Sequence, residues 1–204
     1  MEKPDREAAP SRQFDISKID FDLLSREFAH ARRKNLLLRD LDELVNQQLA
    51  KMLFANPQRI DYYDRYQEII DAYNAEQNRA TIEKTFMDLM ELASSLDTEQ
   101  QRYVREGFSS DEELSVYDLL FSENLTKQEI ETIKKVSVDL LTKIKQQIAK
   151  LDHWTDKQET KAIVDNLIRN TLWQELPNSY DVSDIQTYQK KIYEYVYMRY
   201  PEVA

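Results

Sequence analysis

The chain has 204 residues, 41% hydrophobic and 32% charged, with 38 acidic against 28 basic side chains and a formal net charge of −10. That balance is globular rather than disordered and leaves length for one buried core, while the acidic total argues against the whole surface being a nucleic-acid binder. The absence of cysteine excludes disulfides and thiolate chemistry, and a single glycine, Gly107, excludes glycine-rich phosphate loops and disfavours turn-rich sheets.

Residues 1–14 are polar, proline-containing and without apolar period, which predicts a disordered lead-in to a domain over 15–204. A domain behind such a tail is expected to be the end of a longer parent chain. From Ile16 onward the helical period takes over. A first helix is expected over Ser17–Arg32, a second over Leu37–Phe54 ended by Asn56-Pro57, and a third over Arg59–Asn74. A fourth is expected over Thr81–Ser94, then a short one over Thr98–Arg105 closed by Gly107 as a left-handed C-cap.

Beyond Gly107, Ser110–Glu113, Thr126–Glu129, Thr155–Gln158 and Ser183–Gln186 all fit the Ser/Thr-x-x-Glu/Gln capping box. They predict helix starts there, with the longest helix over Lys127–Leu151, another over Asp156–Glu175 stopping before Pro177, and a last over Asp184–Tyr200 stopping before Pro201. The expected fold is all-α, a single multi-helix bundle of about seven to eight helices. No apolar run approaches the ~18 residues of a membrane span and the first residues are too polar for a signal peptide, so a cytoplasmic protein is expected.

No catalytic, cofactor or metal constellation emerges. Glu27-x-x-His30 has the spacing of half a di-iron carboxylate site, but no second copy exists. Glu159-Thr160-Lys161 with Asp152 echoes a nuclease motif, yet on a capped helix Glu159 and Lys161 point apart. The Lys127–Leu151 helix is locally basic, with Lys134, Lys135 and Lys145 as candidate DNA contacts, and Arg32-Arg33-Lys34 forms a second basic cluster. The final helix concentrates Tyr188, Tyr193, Tyr195, Tyr197 and Tyr200, more rings than one helix face buries.

The strings Ile19-Asp20-Phe21-Asp22-Leu23-Leu24, Asn35-Leu36-Leu37-Leu38-Arg39-Asp40-Leu41 and Leu49-Ala50-Lys51-Met52-Leu53 come in that order. They are followed by Asn56-Pro57-Gln58-Arg59-Ile60-Asp61-Tyr62-Tyr63, Tyr66-Gln67-Glu68-Ile69-Ile70, Leu114-Ser115-Val116-Tyr117-Asp118-Leu119-Leu120 and Asp152-His153-Trp154-Thr155. Together they resemble the C-terminal region of the R (restriction) subunit of type I restriction-modification enzymes, from about Ile16 to the C-terminus.

The resemblance implies a parent subunit that is a site-specific, ATP- and Mg-dependent deoxyribonuclease and DNA translocase. Its nuclease and motor motifs are missing here, so no catalytic residue carries over. This domain is then expected to be a non-catalytic assembly module, without a cofactor, that docks the motor onto the methyltransferase core of M and S subunits. Its partners would be those subunits and the motor domains of its own chain. Trp154, Trp173, Tyr193, Tyr197 and Tyr200 are the expected contact residues. The rival reading is a module that contacts DNA or braces the motor through the basic Lys127–Lys150 helix; a third, an independent enzyme, has no constellation behind it.

Overall fold

The computed structural model describes residues 19–76 and 78–201. The expected lead-in at 1–14 and the expected helix start at Ser17 lie outside the described residues. Among them the fold is all-α, with nine α-helices: α1 (Phe21–His30), α2 (Lys34–Ala55), α3 (Ile60–Ala75), α4 (Arg79–Gln100), α5 (Arg102–Arg105), α6 (Asp111–Leu120), α7 (Lys127–Ile148), α8 (Gln158–Glu175) and α9 (Val182–Arg199). No helix among the described residues is long and apolar enough to cross a membrane.

The helices divide into two compact units. The first comprises residues up to Leu49 with Arg65–Asp97, and the second Ala50–Asp64 with Thr98 onward; the divisions fall inside α2, α3 and α4.

In the first unit, Asp20 caps α1 by accepting from the Leu23 N–H at 2.9 Å, and Phe28 on its inner face stacks on Phe86 of α4 with ring centroids 3.6 Å apart. Leu38, Leu41, Val45 and Leu49 recur at helical spacing on α2 and are buried, as are Leu89, Leu92, Ala93 and Leu96 on α4. The expected end of the fourth helix at Ser94 is not where α4 stops. The helix continues because Leu92, Ala93 and Leu96 hold it to the core, and the Ser95 hydroxyl donates back to the Leu92 carbonyl at 2.7 Å.

In the second unit, α6, α7, α8 and α9 form a closed set in which α6 packs on α7, α7 on α8, α8 on α9, and α9 back on α6. Ile133, Val136, Leu140, Leu141, Ile144 and Ile148 make the buried stripe of α7 and meet Val164, Ile168 and Leu172 of α8 and Ile192 and Val196 of α9. Gly107 ends α5 as expected. It sits at φ +83°, its N–H donates to the Val104 carbonyl at 3.1 Å, and the Phe108 N–H donates to the Tyr103 carbonyl at 2.8 Å, the double bond of a Schellman motif.

The four capping signals fare unequally. Thr126 and Glu129 form the full reciprocal box at α7. Ser110 caps α6, but Glu113 accepts from the Ser109 N–H rather than from that of Ser110. At α9 the box is made by Asp181 and Asp184, which leaves Ser183 inside the helix. Thr155 caps nothing: α8 begins after Lys157, because His153 turns through a left-handed φ of 44° and delivers Trp154 into the core. Burial of an indole outweighs a cap contribution of about 1 kcal/mol.

Candidate functional site

The residues expected at a docking surface separate into inner and outer groups. Trp154 belongs to the core: it is 1% exposed, its indole N–H donates to the Tyr200 carbonyl at 2.6 Å, and its ring meets Tyr193 and Tyr197 edge-on at 6.2 and 5.8 Å. The expectation that it lies on a contact surface is therefore corrected. Its ring fastens the α7–α8 connection to the end of α9, and a partner has no access to it. Tyr193 and Tyr200 are half-buried against the same core, Tyr188 likewise, and Tyr195 is fully inside. Most of the tyrosines that made α9 conspicuous are packing residues with polar tips.

Tyr197 and Trp173 form the outer group, at 39% and 50% exposure. Tyr197 stands beside the buried Trp154, with the Lys161 ammonium 5.7 Å from its ring centroid. Trp173 lies on the outer stripe of α8 with Asn166, Arg169 and Asn170, all exposed and at helical spacing. A large indole among exposed polar side chains, on a stripe that also carries the half-exposed Ile163, has the composition of an interface anchor.

Three lysines of the basic α7 face, Lys134, Lys143 and Lys145, are neutralised from within, while Lys127 and Lys135 are exposed without an ion pair among the described residues. Lys134 donates to the Glu106 carbonyl oxygen and carboxylate at 3.0 and 3.1 Å and lies 5.9 Å from the ring centroids of both Phe108 and Tyr117. Lys145 is bonded to Glu112 and lies over the Tyr200 ring at 5.4 Å. Lys143 bridges Asp139 and Glu175 at 2.5 and 2.6 Å. Burial would raise the Glu112 carboxyl, but Lys145, Tyr200 and Arg199 together hold it below the usual carboxylate range. Of the three lysines considered for DNA, Lys135 alone is exposed without an ion pair among the described residues.

The two weak metal readings dissolve on geometry. Glu27 and His30 are both exposed, with the His30 Nδ1 2.9 Å from the Arg26 carbonyl, and Asp152 and Glu159 are exposed on separate segments. Among the described residues, no group of three or more His, Asp or Glu side chains is placed to hold a metal ion.

Sequence reasoning missed a buried ion network in the second unit. Arg59, 4% exposed, donates two bonds to Asp111 at 3.1 and 2.7 Å and a third to Glu99 at 3.0 Å. Arg102 forks onto Asp118 at 3.0 and 2.8 Å and reaches Glu99 at 3.4 Å, and the Asn56 amide donates to Asp118 at 2.7 Å. Ser115 donates to the Ala55 carbonyl at 3.0 Å. Burial raises the Asp118 carboxyl, against the opposing pull of Arg102 and Asn56. Arg59 and Asp111 are too far apart in sequence for any spacing rule to pair them. The one available signal was that Asn56–Arg59 and Ser115–Asp118 both fell in strings carrying the family resemblance.

Those strings are thus where the chain secures its own packing, at the Asn56/Asp118 and Trp154/Tyr200 contacts. The chain matches no curated protein and no solved structure. Residues 7–200 match the family described as type I restriction enzyme HindI endonuclease subunit-like, C-terminal, and with nearly its whole length covered the chain belongs to that family.

Proposed function

We propose that this chain is the docking domain through which the restriction subunit of a cytoplasmic type I enzyme attaches to its methyltransferase core of M and S subunits. In this reading it is non-catalytic and holds no cofactor, while ATP, Mg2+ and the cleavage and translocation chemistry belong to the nuclease and motor parts of the parent subunit. The observation that carries it is Trp173: the core takes in Trp154 and most of the α9 tyrosines, yet leaves this indole half-exposed on the outer face of α8. Truncating an interface anchor of this kind costs 2 kcal/mol or more, roughly thirtyfold in affinity.

The rival reading, DNA contact through α7, loses Lys134 and Lys145, which are held by carboxylates of their own unit, and would rest on the exposed Lys127 and Lys135. The test is capture of purified M–S core by this chain. Wild type is expected to be retained and Trp173→Ala to be lost, with helical content and melting temperature unchanged. Absence of binding by the wild-type chain, together with normal assembly of a parent subunit lacking the domain, overturns the proposal.

A further inference from the structure

The positive charge left unmatched by α7 has a counterpart in the first unit. An open groove of ≈830 Å3 is bounded by the segment from Ala31 to Leu36, by Arg39 one turn further along α2, and by Arg79 and Ile82 of α4. Its lining carries Arg32, Arg33, Lys34, Arg39 and Arg79 and no carboxylate. Ala31, Leu36 and Ile82 supply an apolar floor.

Two neighbouring acids offset part of this charge. Glu83 accepts from Lys34 at 2.6 Å and from Arg79 at 3.3 Å, and Asp40 lies 3.6 Å from Arg39. Arg32 and Arg33 make no ion pair among the described residues and are exposed. Lys34 is fixed in place, 5.0 Å from the centroid of the Phe28 ring that stacks on Phe86. The groove therefore keeps a surplus of cations on a protein whose net charge is −10. Arg33 and Lys34 also stand at the start of α2, whose first turn has no acidic residue, so they oppose the positive end of the helix dipole. Cations gathered against one another and against a dipole cost stability in the free protein; an arriving anion adds an attraction to each of them and to the helix N-terminus, which offsets that repulsion.

We propose that this groove binds the phosphodiester backbone of nucleic acid, without reading sequence. Four of its five cations are guanidiniums, whose planar fork takes two oxygens of one phosphate. Its open form and volume exceed what a single small oxyanion fills, and each strand of a duplex carries a phosphate for about every 3.4 Å of helix axis, so several arginines can each meet one. The lining holds no aromatic ring on which a base could stack, and contacts to phosphate position the backbone without carrying sequence information.

The test is fluorescence anisotropy of a short labelled duplex of mixed sequence with the full chain, across a salt series. Wild type is expected to bind at low salt and to weaken steeply as salt rises. Arg32→Ala/Arg33→Ala is expected to bind about tenfold less tightly or worse, with the slope of log affinity against log salt reduced by about two. Arg39→Gln/Arg79→Gln provides a second pair on other turns with the same expected direction, and Lys135→Ala should leave the slope unchanged. Undetectable binding by wild type at low salt, an unchanged slope in both arginine pairs, or a slope lost in Lys135→Ala overturns the proposal. So does a polyglutamate peptide that displaces the duplex at equal concentration, since that outcome assigns the groove to an acidic protein segment. Capture of the M–S core by the same arginine variants separates this inference from the docking proposal: loss of duplex binding with core capture intact supports the groove alone.

Discussion

The Lys127–Ile148 helix and the groove around Arg32–Arg39 each carry five cations, three of which meet a carboxylate. The pairs differ: those of α7 each reach a separate carboxylate on another segment, while Lys34 and Arg79 of the groove share Glu83. On α7 the ammonium groups of Lys134, Lys143 and Lys145 each meet a carboxylate within their own unit, and two of them also cover aromatic rings. In the groove, Arg32 and Arg33 have no such partner among the described residues. A basic cluster in a sequence says nothing about function until the partners of each cation are known. The same division runs through the two tryptophans, one inside and one outside, and the perturbations below each test whether a charge or ring serves the fold or is left for something else.

The largest effect is expected where charge is most deeply committed to the fold. Arg59→Ala strands Glu99 and Asp111 beside a buried cavity, and breaking a buried pair from one side costs roughly 3–5 kcal/mol. Chemical denaturation should show a fall in unfolding free energy of that size. A loss below about 1 kcal/mol would mean that the network is solvated and that its charges behave like those of the surface.

Next come the tryptophans. Trp154→Phe keeps most of the ring packing but leaves the Tyr200 carbonyl without its donor, a loss of about 1–3 kcal/mol. Trp173→Ala, on the exposed stripe of α8, should change stability by no more than about 0.5 kcal/mol. Equal losses in the two variants would erase the distinction between packing and contact residues on which the docking proposal rests.

The all-α class and the positions of most helices were legible because apolar period and helix ends are local properties: the α7 stripe, the Thr126–Glu129 box and the Gly107 cap all depend on residues within a few turns. What sequence could not show was long-range. The Thr155 signal is locally valid and is overruled by Trp154, whose indole partner lies at Tyr200. The α9 tyrosines looked like a surface because a helix in isolation has no neighbours to cover it. The pairing of Arg59 with Asp111, and of Lys145 with Glu112, joins residues that only the fold brings together. The division into two units was likewise invisible, since its boundaries fall within uninterrupted helices.

A smaller effect is expected in acid. Glu112 is held below its usual pKa by Lys145, Tyr200 and Arg199 against the opposing effect of burial, so its contribution to stability is complete above the ordinary carboxylate range, near 4.3, and is lost as pH falls through the depressed value. Asp118, raised by burial, has the opposite sign: what its protonated form contributes is present in acid and lost as pH rises. Glu112→Gln should therefore lower stability near neutral pH by about 1 kcal/mol or less, given the partial exposure of the pair, and flatten its decline on acidification. Denaturation midpoints measured from neutral pH down to about pH 3 provide the check; an unchanged acid slope would remove Glu112 from the groups that tie α6 to α7.

The smallest effect concerns the groove, and there the sign matters more than the size. If Arg32 and Arg33 served the fold as Lys145 does, replacing either would cost stability. Neither has an ion-pair partner among the described residues, and Arg33 precedes α2 at the positive end of its dipole. Arg33→Ala should consequently be neutral or stabilising by up to about 0.5 kcal/mol, with any gain shrinking as salt screens the repulsion. Added phosphate should erase the difference, because an anion in the groove would stabilise the wild type more than the variant. Thermal melting of the two proteins in low-salt buffer, with and without phosphate, reads all three expectations together. A destabilised Arg33→Ala variant would place this arginine with the lysines of α7, as a residue that holds the protein together.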